Sequence, residues 1–197
     1  FGFGRPVEID LPSDEVAVSG RYRNGKLLSN TQRDEDAARI AIGQENLLVT
    51  PLQMAMVAGA VANGGRMQRP YLVKRVITKD GVVVKQQNPE TLDSVSSAYV
   101  SSEVARMMQN VVREGTGTKA GLSGLSVAGK TGTAETGDPN RNQAWFIGFA
   151  PADNPKVAVA VVIEDTSGTG GQVAAPIAGA VMRTALSATP VQGEPQP

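Results

Sequence analysis

The chain of 197 residues contains neither cysteine nor histidine. Metal sites built on those ligands are excluded, and so are catalytic triads and dyads that need an imidazole or a thiol. The missing cysteines do not fix the redox compartment, because reduced and oxidising compartments both hold cysteine-free domains. Net charge is missing too: 19 basic residues balance 19 acidic ones, so bulk charge gives no reason to expect nucleic acid as a partner. No apolar run approaches the length of a membrane span. What remains is 41% hydrophobic, enough for a real core in one domain.

The stretch that carries chemistry is Leu125-Ser126-Val127-Ala128-Gly129-Lys130-Thr131-Gly132-Thr133-Ala134-Glu135. If 130–133 lie on an edge strand, Lys130 and Gly132 point to one face, and Thr131 and Thr133 to the other. Gly132 lets another backbone approach closely. Lys130 supplies a point charge and the threonines supply hydrogen bonds. The set suits a carboxylate-bearing, peptide-like ligand laid along a strand edge. Gly124 to Thr131 also matches the phosphate-loop pattern Gly-x-x-x-x-Gly-Lys-Thr, which would make the chain a nucleotide-binding protein. That loop works only after a buried strand and at the start of a helix. Residues 114–123 are no buried strand, and Gly132, Gly137 and Pro139 forbid a helix downstream.

Along the rest of the chain, residues 1–33 read as loop with one short strand around Ile9 and Leu11. Thr50-Pro51-Leu52-Gln53 predicts a helix start with a closed capping box, and Asn63-Gly64-Gly65 its end. Segments 71–78 and 82–87 flank a Lys79-Asp80-Gly81 turn as a hairpin. A helix over about 101–113, capped by Ser101 or Ser102, carries Val104, Met107, Met108, Val111 and Val112 as an apolar face at helical spacing. Residues 115–124 form a connector. Strands at about 125–135, 144–150 and 157–163 make a meander, separated by a polar 136–142 loop with a Gly-Asp-Pro-Asn turn. The last of these strands has the continuous apolar pattern of one buried on both faces. Gly168, Gly170 and Gly171 suggest a flexible loop, and Pro176 opens a final helix. The tail 190–197 is expected to be disordered. The expected class is α+β: antiparallel sheet packed against helices.

Lys130-Thr131-Gly132-Thr133-Ala134-Glu135 and Ala144-Trp145-Phe146-Ile147-Gly148-Phe149-Ala150-Pro151 resemble the third active-site motif and following strand of penicillin-binding proteins. Ala41-Ile42-Gly43-Gln44, Val49-Thr50-Pro51-Leu52-Gln53-Met54-Ala55 and Ala62-Asn63-Gly64-Gly65 resemble the same family's mid-domain helix, and Gly115-Thr116-Gly117 its connector. The resemblance runs in order from about residue 1 to 187, and the Thr-Ala-Glu ending is most similar to the class B, monofunctional transpeptidases. Of the family's three motifs, Ser-x-x-Lys, Ser-x-Asn and Lys-Thr-Gly, only the third occurs here: no serine has lysine three positions on or asparagine two positions on. With Phe1-Gly2-Phe3-Gly4 opening the chain, the expectation is that residues 1–189 are the C-terminal part of a transpeptidase domain. The nucleophilic serine then lies upstream, and this chain alone is inactive.

The resemblance implies a serine β-lactamase/D,D-peptidase-like fold and a peptidoglycan D,D-transpeptidase inhibited covalently by β-lactams, with no cofactor and no metal. It implies catalytic roles for Lys130 and Thr133, and substrate contacts from Thr131, Gly132 and Thr133. Its expected partners are peptidoglycan stem peptides, β-lactam antibiotics, the N-terminal half of the same domain, and cell-division or elongation proteins. Its expected location is the extracytoplasmic face of a bacterial plasma membrane, held by an upstream anchor. A D,D-carboxypeptidase, a β-lactamase and a non-catalytic β-lactam sensor would share residues 130–133, so those residues alone do not separate the four.

Overall fold

The computed structural model describes residues 1–29, 36–138 and 140–188. The expected tail at 190–197, and Pro139 of the polar-loop turn, lie outside the described residues. The framework is the predicted meander: β8 (Ala128–Ala134), β9 (Asn142–Ala150) and β10 (Val157–Thr166), antiparallel in the order β10-β9-β8. Its register pairs Lys130 with Ile147, Gly132 with Trp145, and Val162 also with Trp145. Period-two alternation then assigns every side chain to a face.

The inner face carries Phe146, Val159, Val161 and Ile163 and packs on α4 (Ala175–Ser187), whose Ala175, Ala178 and Met182 are buried. Phe146 sits so close beneath Gly129 that a Cβ there would stand 2.2 Å from its ring. The outer face is covered at one end by α2 (Pro51–Ala62) and α3 (Ala98–Glu114), where Ala128, Phe149 and Met108 form a second cluster with Val61 and Val104. Gly59 of α2 faces the Ala158 methyl of β10. The small residues of α2 thus allow the close packing expected of them.

Helix α2 begins as predicted, but its cap differs. Thr50 Oγ1 accepts from the Gln53 N–H at 3.1 Å, half of a capping box. The Gln53 side chain instead donates to the Phe1 carbonyl at 2.6 Å, and the Thr50 N–H goes to the Ser19 hydroxyl at 2.9 Å. Tertiary partners outcompete the local return bond. Helix α3 starts earlier than expected, with Ser97 as its cap. Ser101 is buried inside it and pairs with the Ser96 hydroxyl at 2.5 Å. Four serines at 96, 97, 101 and 102 could each cap, and burial chose among them.

The expected hairpin is present as β5 (Arg75–Ile77) and β6 (Val83–Gln86). The Asp10 carboxylate anchors the segment before it, accepting from the Leu72 and Val73 N–H groups at 2.7 and 3.1 Å. Two sets of short strands were not legible: β1 (Gly20–Arg23) with β2 (Lys26–Leu27) and β3 (Leu47–Leu48), and β4 (Arg66–Gln68) with β7 (Thr91–Ser94). The strand in the first segment is therefore at Gly20–Arg23, not around Ile9 and Leu11. A five-residue α1 (Ala37–Ala41), capped by Asp36, precedes β3.

Strand β10 also departs from expectation. It is an edge of its sheet, with Val159 its only buried residue. Its apolar pattern reflects α4 on one side and partial cover by α2 on the other. The glycine-rich segment after it is no flexible loop. Gly170–Ala174 is a π-helical turn, opened by a capping box between Thr169 and Gln172 and running straight into α4.

Candidate active site

Strand β8 is the other edge of the sheet. An edge strand leaves alternate backbone groups without a strand partner, available to a ligand chain. No helix begins at Lys130, which stands within β8 with Thr131 and Gly132 continuing the strand. The geometry a phosphate loop needs is therefore missing here.

The faces divide as the alternation predicts. Lys130 is exposed on the outer face, its ammonium curled onto the Thr131 carbonyl at 2.5 Å. Gly132 shares that face opposite Trp145; a Cβ on Gly132 would sit 3.4 Å from the Trp145 Cβ. Thr131 and Thr133 point the other way. Thr131 is 9% exposed and its hydroxyl pairs with that of Thr116 at 2.6 Å. Thr133 Oγ1 accepts a long bond, 3.4 Å, from the Gly170 N–H, and the threonine is half-buried.

Where α2 and α3 stop covering the outer face, a cavity of about 440 Å³ opens against β8. Lys130, Gly132 and Thr133 line one side, Trp145, Ile147 and Val162 the sheet floor, and Met54, Leu47 and Phe3 the opposite wall. Glu164 also lines it. An apolar floor with a few convergent polar groups is the usual form of a small-ligand site. Its volume is within the ordinary range for one, ~300–1,000 Å³. All four residues singled out in the sequence, Lys130, Thr131, Gly132 and Thr133, line it, although the Thr131 hydroxyl is engaged on the inner side.

Arg141, immediately before β9, donates to Asp165 at 3.0 Å. That hydrogen bond raises the guanidinium pKa above its already high ordinary value. Asp165 adopts a left-handed φ of 50° where the β10 register shifts between Ile163 and Thr166, a bulge that bends the strand end. No group of three or more acidic residues able to hold a metal ion occurs among the described residues. No described helix is long and apolar enough to cross a membrane.

Three features of the site carry no plain signal in the sequence, where Trp145 reads only as part of a strand, Thr116 only as connector and Gly170 only as loop. The available signal was the Gly170-Gly171 pair just ahead of a helix opened by Pro176, since adjacent glycines often mark a close backbone approach. Here a Cβ on Gly170 would meet the Trp145 carbonyl oxygen at 2.1 Å and that of Gly132 at 2.5 Å.

Comparison with known proteins gives these features a common context. Residues 1–183 match the family model described as penicillin binding protein transpeptidase domain. The peptidoglycan D,D-transpeptidase PbpA of Mycolicibacterium smegmatis is 42% identical over 161 residues, covering 77% of this chain and 33% of the relative. Stage V sporulation protein D of Bacillus subtilis is 37% identical over 198 residues, covering 94% of this chain and 29% of the relative. Among solved structures, the imipenem acyl-enzyme complex of penicillin-binding protein A from M. tuberculosis superposes with a TM-score of 0.78 at 32% identity, covering 94% of this chain and 40% of that one. The chain thus spans about a third of the length of these relatives. With the family model matched over residues 1–183 and a relative 42% identical over 77% of its length, the chain belongs to the penicillin binding protein transpeptidase domain family.

Proposed function

We propose that this chain supplies the strand-edge half of the active site of a peptidoglycan D,D-transpeptidase, and that the acylated serine stands in a part of the protein outside it. The observation that carries the reading is the placement of Lys130, Gly132 and Thr133 together at the wall of one apolar-floored cavity, on an edge strand. The chain's lack of any Ser-x-x-Lys is the reason for assigning the nucleophile elsewhere. Residues 1–189 would then be the C-terminal part of the catalytic domain.

In the first half-reaction, a serine oxygen attacks the carbonyl of the penultimate D-Ala of a stem peptide. The C–N bond breaks, and D-Ala leaves with a proton on its amine. In the second, an acceptor amine attacks the ester, a new amide forms, and the serine recovers its proton. Lys130 and Thr133 are the catalytic residues in this reading. The Lys130 ammonium stabilises negative charge and aids proton movement near the serine. The Thr133 N–H is one of two oxyanion donors, a contribution of ~10²–10³ in rate for a donor of this kind. Gly132 lets the ligand backbone lie against β8. The Thr131 and Thr133 hydroxyls receive the terminal carboxylate, and the Lys130 ammonium, reaching round the free edge of β8, can exchange the Thr131 carbonyl for it.

A β-lactam presents a similar carboxylate and amide, so covalent inhibition belongs to the same proposal. The relatives described as acyl-enzyme complexes of imipenem and penicillin G favour it. Extracytoplasmic placement, with an anchor outside this chain and partners among cell-division or elongation proteins, follows from the function proposed. The test is intact-mass spectrometry of the complete protein after exposure to penicillin G, with nucleotide-binding calorimetry beside it. The expected result is a mass increase of one antibiotic and no binding of ATP with Mg²⁺. Nucleotide binding that Lys130→Ala abolishes, with no adduct on the wild type, would overturn the assignment.

A further inference from the structure

A second cavity, of about 910 Å³, opens at the far end of α2 and shares no lining residue with the one against β8. We propose that it binds a carboxylate-bearing fragment of peptidoglycan, giving the protein a second grip on the polymer whose stem peptides it joins. The identity of the ligand rests on the transpeptidase reading; the anion-binding character of the cavity does not.

Three parts of the fold enclose it. The end of α2 closes it with Ala62 and Asn63, β4 with Arg66 and Gln68, and the turn before β10 with Asn154 and Lys156. Met54 of α2 lines the first cavity and Gly59 the second. The helix rises about 7.5 Å between those two residues, so the cavities are neighbours along it.

Two cations and no acid line the second cavity. The carboxylates nearest to it along the chain are committed elsewhere. Asp153 accepts from the Ser126 hydroxyl at 2.9 Å, Glu90 pairs with Arg69 at 3.1 Å, and Asp93 lies 3.7 Å from Arg5. Arg66 and Lys156 have no carboxylate partner among the described residues. In a chain of 19 basic and 19 acidic residues, this excess of positive charge is local, and it favours an anion there.

The neutral side chains narrow the ligand further. The Asn63 amide donates to the Arg66 carbonyl at 3.1 Å, and the Gln68 amide donates to the Thr91 hydroxyl at 2.8 Å. Each commits its NH₂ within the protein and offers its carbonyl oxygen as an acceptor. A ligand that meets cations and acceptors together must bring carboxylates and also hydroxyl or amide N–H donors. An inorganic anion brings charge with few donors; a sugar–peptide fragment brings both. Pro89, Pro155 and Val157 add apolar surface for a sugar ring face or an alanine methyl. The volume is at the upper end of the usual ~300–1,000 Å³ for a ligand pocket, far more than a single ion fills.

The experiment titrates the complete protein with disaccharide–tetrapeptide fragments released from peptidoglycan by a muramidase. The protein is first acylated with penicillin G, so that the proposed active site is occupied. Calorimetry should show that binding survives acylation. It should weaken about 3- to 5-fold in Arg66→Gln and in Lys156→Gln, whose charges are exposed and partly screened by solvent. In the double variant the two losses should multiply. Added salt should weaken binding further, and fragments with amidated carboxyls should bind less tightly than the acids. The rate of penicillin acylation should match wild type in every variant, since neither side chain lines the β8 cavity. Acylated protein that binds no fragment, as when another part of the complete protein fills the cavity, overturns the proposal. So does binding that ignores both substitutions, or that inorganic phosphate at equal concentration displaces. A wild type that forms no penicillin adduct removes the transpeptidase reading instead. The titration of unacylated protein then decides: binding of the acid fragments that falls in both variants supports the anion site, and its absence overturns it.

Discussion

The two ends of the outer sheet face are built from the same three strands yet serve opposite purposes. At one end, Ala128 and Phe149 are fully buried under α2 and α3 with Met108, Val61 and Val104. That end is latched by Ser126, whose hydroxyl donates to Asp153 at 2.9 Å and whose carbonyl accepts from the Ala152 N–H at 2.9 Å. Two to three residues further along β8 the cover stops. Lys130, Gly132, Trp145 and Ile147 then face a cavity instead of a helix. A single strand thereby passes from core to site. The rigid end supplies the position, and the uncovered end supplies the chemistry, the arrangement that precise active sites need. Substitutions at the two ends should therefore separate stability from function.

The largest effect is expected at the covered end. Phe149→Ala removes a fully buried ring and should destabilise the protein by about 3–5 kcal/mol, from lost burial and the cavity left behind. Chemical denaturation of the complete protein measures it. A loss under about 1 kcal/mol would mean that α2 and α3 do not close over this end as described.

At the uncovered end the order of effects reverses. Gly132→Val introduces a β-branched residue that suits a strand, with its Cβ 3.4 Å from that of Trp145, so the melting temperature should hardly move. The new side chain stands where the proposed ligand backbone passes. Acylation by penicillin G should fall by about 10²-fold or more, as for a misplaced reactant. Unchanged acylation would show that the ligand does not cross residue 132. Lys130→Ala comes next. Loss of a charge-assisted contact to a carboxylate is worth roughly 1.5–3 kcal/mol, a slowing of about 10- to 10²-fold, again without a matching loss of stability. An equal fall in both quantities would place Lys130 in the framework rather than the site.

How much of this was legible in the sequence follows from the same contrast. The core end announces itself through periodicity. Val157 to Ile163, the Ala144–Ala150 segment and the spaced Met108 and Val112 of α3 are apolar because something covers them, and the meander and its helices were readable from that. The Thr50-Pro51 helix start was equally plain, because its signal is local. What escaped was set by partners far away in sequence. Gln53 turns from its capping role to the Phe1 carbonyl. The short strands at 20–23, 47–48, 66–68 and 91–94 pair across long separations with no alternation to betray them. Gly170 and Gly171 looked like freedom because glycine permits it, whereas here they permit contact with Gly132 and Thr116. For Lys130 to Thr133, spacing gave the faces, but only the tertiary structure revealed that the Thr131 hydroxyl is engaged by Thr116.

The smallest expected effect tests the latch at the covered end through its pH dependence. The hydrogen bond from the Ser126 hydroxyl, helped by the Asp153 and Asn154 backbone N–H groups against a small opposing effect of desolvation, holds the Asp153 carboxyl below its ordinary value of 3.8. A carboxyl whose folded pKa is depressed contributes stability that is fully present above the unfolded pKa and is lost as pH falls through the folded one. Wild type should therefore protect the Ala152 amide, which donates to both the Ser126 carbonyl and hydroxyl, better than Asp153→Ala does at pH 7. The difference should narrow only when the pH drops below about 4. Because Asp153 is exposed, solvent screens the interaction, and the global melting temperature should change little. The acylation rate at pH 7 should change less still, since the latch lies at the end of the sheet away from Lys130. A gap in Ala152 protection that stayed constant from pH 7 to about pH 2 would show that the side chain acts by packing and not through its charge. A slowed acylation in Asp153→Ala would show that the two ends of the sheet are mechanically coupled, against the separation drawn between them.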